Sequence, residues 1–378
     1  MKRTFAILLC AVLALSGCAQ AAAPTASADV TATVAATPTP DGDTAQPDAT
    51  AEAGDEDPAP DAELGTQPPD DGTPADAYTP DGTKSVTTGL EKKSPYKPVA
   101  VMIENTVPAR PQKGLGQADI VYEVLVENAS MTRFMCVFND NMPKTAGPVR
   151  SSRPYYIDLA DEFGGAYCFF GGPEYKPASI YTRLEKSPLK IVANGITGKW
   201  GKYYWRSKDK AAPHNVYTDL TRIAELFEEL PAAKHFLFDA AATPVGDDVT
   251  KIEVPYNKST LDTVYTYDAA SKKYLRSVNG KPFVDGLDNQ QIAVTNVIVQ
   301  NTKLEFTGDY KGRVEISFIG KGEADVFTAG KHIKATWEKK SAAEPTVYRD
   351  SNGKEIVLQP GNTWVQVVYS KIKYTYGN

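Results

Sequence analysis

Histidine and cysteine are scarce in this chain of 378 residues, with three of the first and four of the second. His214, His235 and His332 lie far apart, no CxxC pair occurs, and no stretch has the spacing of a metal-ligand set. A P-loop, a GxSxG elbow, an HExxH helix and an EF-hand loop are all missing, which excludes the chemistries that rest on those motifs. No metal and no cofactor are expected. The apolar run from Phe5 to Leu15 is too short for a permanent membrane-spanning helix.

What is present falls into three zones. Lys2 and Arg3 precede that apolar run, and Ser16, Gly17 and Cys18 follow it, so residues 1–17 read as an export signal. Leu15-Ser16-Gly17-Cys18 resembles the lipobox of bacterial lipoproteins, in which Cys18 would be lipidated and hold the protein at a membrane from the extracytoplasmic side. The alternative is an ordinary secretory signal that carries a cysteine. Residues 18–88 consist almost wholly of Ala, Thr, Pro, Asp, Glu and Gly, with too little apolar surface to offset the entropy of ordering, and are expected to form a disordered tether. Its fourteen acidic residues stand against one lysine, Lys84. The net charge of −6 therefore belongs to the tether, and the region beyond it carries a small positive excess. About seventy flexible residues give a reach of roughly 45 Å.

From Pro98 the pattern is globular. Val99–Glu104, Ile120–Val126 and Thr132–Phe138 read as strands, the last two as an antiparallel pair turned by Asn128-Ala129-Ser130. Val121 and Glu123 share one face of their strand, and Tyr122, Val124 and Val126 the other. A further strand, Ala166–Phe170, runs into Gly171-Gly172-Pro173 and a helix near Pro177–Leu184; Thr218 is expected to cap a helix carrying Leu220, Ile223, Ala224, Phe227 and Leu230. Beyond residue 250 strands and hairpins dominate, including Thr263–Tyr267, Lys273–Val278, Gln291–Gln300 and Thr363–Tyr369. The fold class predicted is α+β, with an N-terminal α/β-type mixed-sheet domain over 95–245 followed by a mostly β C-terminal domain over 250–378. Cys136 and Cys168 sit in strand-like runs; neighbouring strands could join them as a disulfide, or both could be buried free thiols.

The chemistry concentrates around Gly147–Pro154. Gly147, Arg150, Ser151, Ser152 and Arg153 form a polar loop, and Pro154 opens a helix with Tyr155, Ile157, Leu159, Ala160 and Phe163 at helical spacing. Guanidinium groups beside free helix N–H groups suit an anion. Arg110, Arg133, Arg150, Ser151, Arg153, His214 and Asn215 are the candidate ligand-binding residues. For catalysis the candidates are His214, with Ser151 as nucleophile and Glu104 or Glu123 as acid or base. Three readings stay open: a pocket for an anionic small molecule or cell-wall fragment, a hydrolase or transferase of the envelope, and a scaffold whose arginines and carboxylates pair internally while a protein partner docks on the β domain. The aromatic and basic stretch Lys199–Asp209 fits a saccharide or cofactor platform, or plain packing; no nucleic acid is expected for an exported chain.

Several of these motifs carry a family likeness. Val101-Met102-Ile103-Glu104-Asn105, Ala109-Arg110-Pro111-Gln112, Ala118-Asp119-Ile120-Val121-Tyr122-Glu123, Thr132-Arg133-Phe134 and Gly147 to Pro154, together with Ala212-Pro213-His214-Asn215, Gly320-Lys321-Gly322, Thr336-Trp337 and Pro360 to Trp364, resemble the YerB-type family of bacterial surface lipoproteins. The resemblance covers about residues 95 to 370. It implies a two-part layout and a lipid anchor, and it brings no established activity.

Overall fold

The structure is a computed structural model that describes residues 82–174 and 179–378. Cys18, the export signal, the tether up to residue 81 and the start of the helix expected near Pro177 lie outside the described residues. Folded structure begins earlier than residue 88. Thr87 is fully buried and its hydroxyl donates to Asp119 Oδ2 at 2.8 Å, so residues 82–88 belong to the folded body and not to the tether.

The strands of three or more residues in the two large sheets, in chain order, are β1 (Val99–Glu104), β2 (Ile120–Leu125), β3 (Thr132–Phe138), β4 (Ala166–Phe169), β5 (Ile191–Asn194), β6 (Lys251–Asn257), β7 (Leu261–Asp268), β8 (Lys273–Val278), β9 (Asn296–Asn301), β10 (Gly320–Thr328), β11 (Lys331–Lys339), β12 (Val347–Arg349), β13 (Thr363–Val368) and β14 (Thr375–Gly377). One sheet runs β12-β11-β10-β9-β13-β2-β3-β1-β4-β5. The architecture is the expected α+β one, a mixed sheet with few short helices leading into a mostly β C-terminal half. β2 and β3 pair antiparallel as the turn between them predicts, while β1, β4 and β5 run parallel to one another.

The two halves share this sheet. β13, from the end of the chain, lies between β2 and β9 and is parallel to both. A second sheet, with β8-β7-β6-β14 as its core, covers the face of the first that carries Glu123, Phe134 and Trp364. Burial follows from this layering. β1, β2, β3 and β13 are buried on both faces, as strands inside a covered sheet must be, whereas β6 and β8 alternate between buried and open positions.

Register settles the cysteines. Val101 pairs with Cys136 on one side and with Cys168 on the other, so the two lie two strand spacings apart, about 9.5 Å, beyond the reach of a disulfide. Both are free and buried, and burial pushes the Cys168 thiol up to about 12.

Two helical expectations need correction. The helix after Thr218 spans only Leu220–Ala224, and its cap is Asp219, whose carboxylate accepts from the Thr221 N–H at 3.0 Å; Thr218 is still in a strand. The helix that Pro154 opens does begin at Pro154, but it stops at Ala160 after seven residues.

Candidate functional site

The polar loop is stitched into place by backbone. Glu104 N donates to Pro148 O, Arg150 N to Met102 O and Val149 N to Val216 O, while Phe170 N donates to Arg150 O and Ser152 N to Gly171 O. The loop thus runs as an irregular strand between the end of β1, the end of β4 and the hairpin Tyr204–Arg206/Val216–Thr218. Gly147 permits this, because at its φ of 146° any Cβ would lie 2.7 Å from the Val216 carbonyl. Arg150, Ser151, Glu104, His214 and Asn215 are brought together in this way.

At the centre is Glu104, whose side chain is 2% exposed. Its Oε1 accepts from Thr106 Oγ1 at 2.7 Å and lies 3.0 Å from His214 Nδ1. Its Oε2 is 3.3 Å from Arg150 Nε, an ion pair whose angle is too poor for an aligned hydrogen bond. Arg150 and His214 are 27% and 23% exposed, so both reach solvent from a shared buried carboxylate. Burial lowers the pKa of the Arg150 guanidinium, and the Glu104 carboxylate opposes that shift. Among the described residues no protein group accepts from the Nη atoms of Arg150 or hydrogen-bonds Nε2 of His214. Arg206, exposed nearby, donates to Asn215 Oδ1 at 2.8 Å and lies over the Phe170 ring.

The other predicted residues are closed inward. Arg133 and Arg153, with side chains 8% exposed, both turn onto Glu127 through Nη2, and the Nη1 of each donates to a carbonyl, that of Ser151 or of Ser152. This corrects the expectation that they line a ligand site, because both side chains are buried and their Nη groups are engaged by a carboxylate and two carbonyls. Arg110 donates to the Asn105 backbone and side chain and to Thr260 O, and lies over the Phe283 ring. Ser151 Oγ donates to Phe170 O at 3.1 Å and, among the described residues, makes no bond to His214. Asn215 Nδ2 is spent on Ser207 O and Lys210 O, which holds the hairpin.

Glu123 is buried with no exposure. Asn105 Nδ2 and Thr132 Oγ1 donate to its Oε1 at 2.9 and 2.8 Å, and Arg276 Nη2 lies 2.9 Å from its Oε2. A carboxylate so enclosed meets no substrate, which removes it as an acid or base. Arg276 was invisible as a partner in the sequence, as was Asp285, whose carboxylate accepts from the N–H groups of Gly114, Gly116 and Leu287 at 2.8–3.0 Å and clamps the 111–117 loop to the C-terminal half.

Two family models match in succession: the N-terminal domain of a family described as a protein of unknown function, DUF3048, at residues 87–233, and the C-terminal domain of the same family at residues 252–365. The chain belongs to this family. Its DUF3048 body is 29% identical over 295 residues to YerB of Bacillus subtilis (strain 168), a protein whose name assigns it provisionally to the lipoproteins, with 75% of this chain and 86% of that one covered. The crystal structure of YerB from Bacillus subtilis superposes with a TM-score of 0.67 at 28% identity, covering 78% of this chain and 99% of that one. Among the described residues of this DUF3048 chain no helix is long and apolar enough to cross a membrane.

Proposed function

We propose that this is a lipid-anchored, extracytoplasmic envelope protein that binds the anionic group of a small molecule or cell-wall fragment at Arg150 and His214. The anchor reading is supported by the signal, the lipobox at Cys18 and the likeness to a protein with a lipoprotein name. Cys18→Ala should move the protein from the membrane fraction to the soluble or unprocessed one; unchanged retention in a fractionation would remove the lipid as anchor.

The binding reading rests on one observation, the unfilled Nη donors of Arg150 beside the unfilled Nε2 of His214. Glu104 fixes both side chains from beneath. An anion would take two donors from the guanidinium fork, beside the imidazole of His214. Lysine supplies no fork, so Arg150→Lys should weaken orthophosphate or sulfate binding by about 1 to 3 kcal/mol in calorimetry, with little change in melting temperature. Wild-type protein whose melting temperature ignores both anions, together with a strongly destabilised Arg150→Ala variant, would make Arg150 a structural partner of Glu104 only.

A second reading has its own support. A histidine held at Nδ1 by a buried carboxylate, with Nε2 facing solvent, is the arrangement of a general base, so hydrolysis or transfer at the bound anionic group is the alternative use of the same residues.

A further inference from the structure

The stretch Lys199–Lys210 is not accounted for by a single anion beside Arg150. Two of its cations lie on its own rings, Lys199 Nζ 4.8 Å from the Trp200 ring centre and Lys202 Nζ 5.3 Å from that of Tyr203, and Arg222 reaches the Tyr203 ring from the helix Leu220–Ala224 at 5.1 Å. Trp200 and Tyr203 are themselves 5.7 Å apart, so three exposed cations surround one aromatic pair. None of the three has a carboxylate partner among the described residues. Of the carboxylates in the segment, Asp209 is engaged with Lys113 at 3.0 Å and Asp219 with the helix start. The strand Tyr204–Arg206, about 7 Å long, joins this cluster to Arg206 and so to Arg150.

We infer that the hairpin and the adjoining helix form a track for an extended polyanion, a phosphodiester-linked or otherwise multiply charged envelope polymer, with Arg150 and His214 holding one of its groups. The inference rests on the reading of that pair as an anion site and names its ligand class. A single small anion uses one fork of donors, whereas four cations without a carboxylate partner among the described residues, Lys199, Lys202, Arg206 and Arg222, extend from the Glu104-paired Arg150 and match charges repeated along a chain. Held in place over rings, these cations lose less side-chain freedom on binding than free lysines would. A membrane surface is a poorer fit. Trp200 and Tyr203 are covered by their own cations, and the exposed apolar side chains of the segment, Ile196 and Trp205, are too few for a bilayer-inserting face.

Inorganic polyphosphate of about twenty units is the probe, with orthophosphate and phosphatidylglycerol vesicles beside it. Polyphosphate should bind the full chain at least tenfold tighter than orthophosphate, with log Kd rising against log salt at a slope of about 3 or more, as expected when several phosphates are neutralised. Lys199→Gln, Lys202→Gln and Arg222→Gln combined touch only exposed side chains. They should weaken polyphosphate at least tenfold and leave orthophosphate unchanged. Polyphosphate that binds the triple variant as it binds wild type would overturn the track, as would vesicles that bind at least as tightly as the polymer and are lost in the same variant. If wild type ignores orthophosphate yet binds polyphosphate with that salt dependence, the Arg150 reading fails and the track stands.

Discussion

Arg276→Ala is expected to lower the unfolding free energy by about 3 to 5 kcal/mol, the cost of leaving a buried carboxylate unpaired. Arg276 and Glu123 are both fully buried and come from opposite halves of the chain. The guanidinium is enclosed by four rings, with Phe283 at 4.8 Å, Trp364 at 5.0 Å, Tyr265 at 5.3 Å and Phe134 at 5.6 Å, and its Nη1 donates to Tyr265 OH at 2.6 Å. Burial alone would disfavour its charge, and the Glu123 carboxylate together with the hydroxyls of Tyr265 and Tyr256 more than compensates. Glu123→Gln combined with Arg276→Met removes both charges, keeps an acceptor for Asn105 and Thr132, and should recover most of the loss. Denaturant titration of the single and double variants decides the matter. A loss below about 1 kcal/mol in Arg276→Ala, or a double variant as unstable as the single, would show that the pair does not join the halves.

Raising the pH from about 4 to 7 should destabilise the protein by on the order of 3 to 5 kcal/mol through Asp119 alone. Burial pushes this carboxyl up to about 7; the Thr87 hydroxyl counteracts part of that shift, and Asp140 adds to it. The unfolded chain loses this proton near pH 4, whereas the folded protein keeps it until about pH 7. Within that window the folded state binds more protons, so stability falls as pH rises, by about 1.4 kcal/mol per unit. Asp161, raised to about 6 by burial, acts in the same direction. Asp119→Asn keeps an acceptor for Thr87 and for the Asn139 N–H, and should flatten the slope. Equal slopes for the two proteins between pH 4 and 7 would show that Asp119 titrates normally.

Part of the candidate site could be read before the structure. Glu104, Arg150 and His214 were singled out from their motifs, and the hairpin carrying Arg206 was visible as a basic and aromatic stretch. Arg276 left a trace as well: in the alternation of β8 it shares a phase with Tyr274 and Val278, and a charge on the buried phase of a strand needs a partner. Nothing local identified that partner as Glu123. Arg133 and Arg153 stand in sequence just as Arg150 does, and only the position of Glu127 distinguishes two closed forks from an open one.

The amino-acid sequence by itself determined the local elements. β1, β3 and β8 lie where their apolar or alternating runs predicted, Asn128 to Ser130 turns the antiparallel pair, and Pro154 opens its helix, because side-chain period, turn residues and a fixed φ act within a few residues of chain. The tertiary structure alone decided that Thr363–Val368 inserts beside Ile120–Leu125, that Val101 keeps Cys136 and Cys168 apart, and which arginines meet which carboxylates. Those outcomes depend on register and layer packing between segments as far apart as 243 residues in the Ile120–Thr363 pair. A strand's hydrogen-bonding edge carries no label for its neighbour, so pairing is chosen by the burial and charge matching of the assembled sheet.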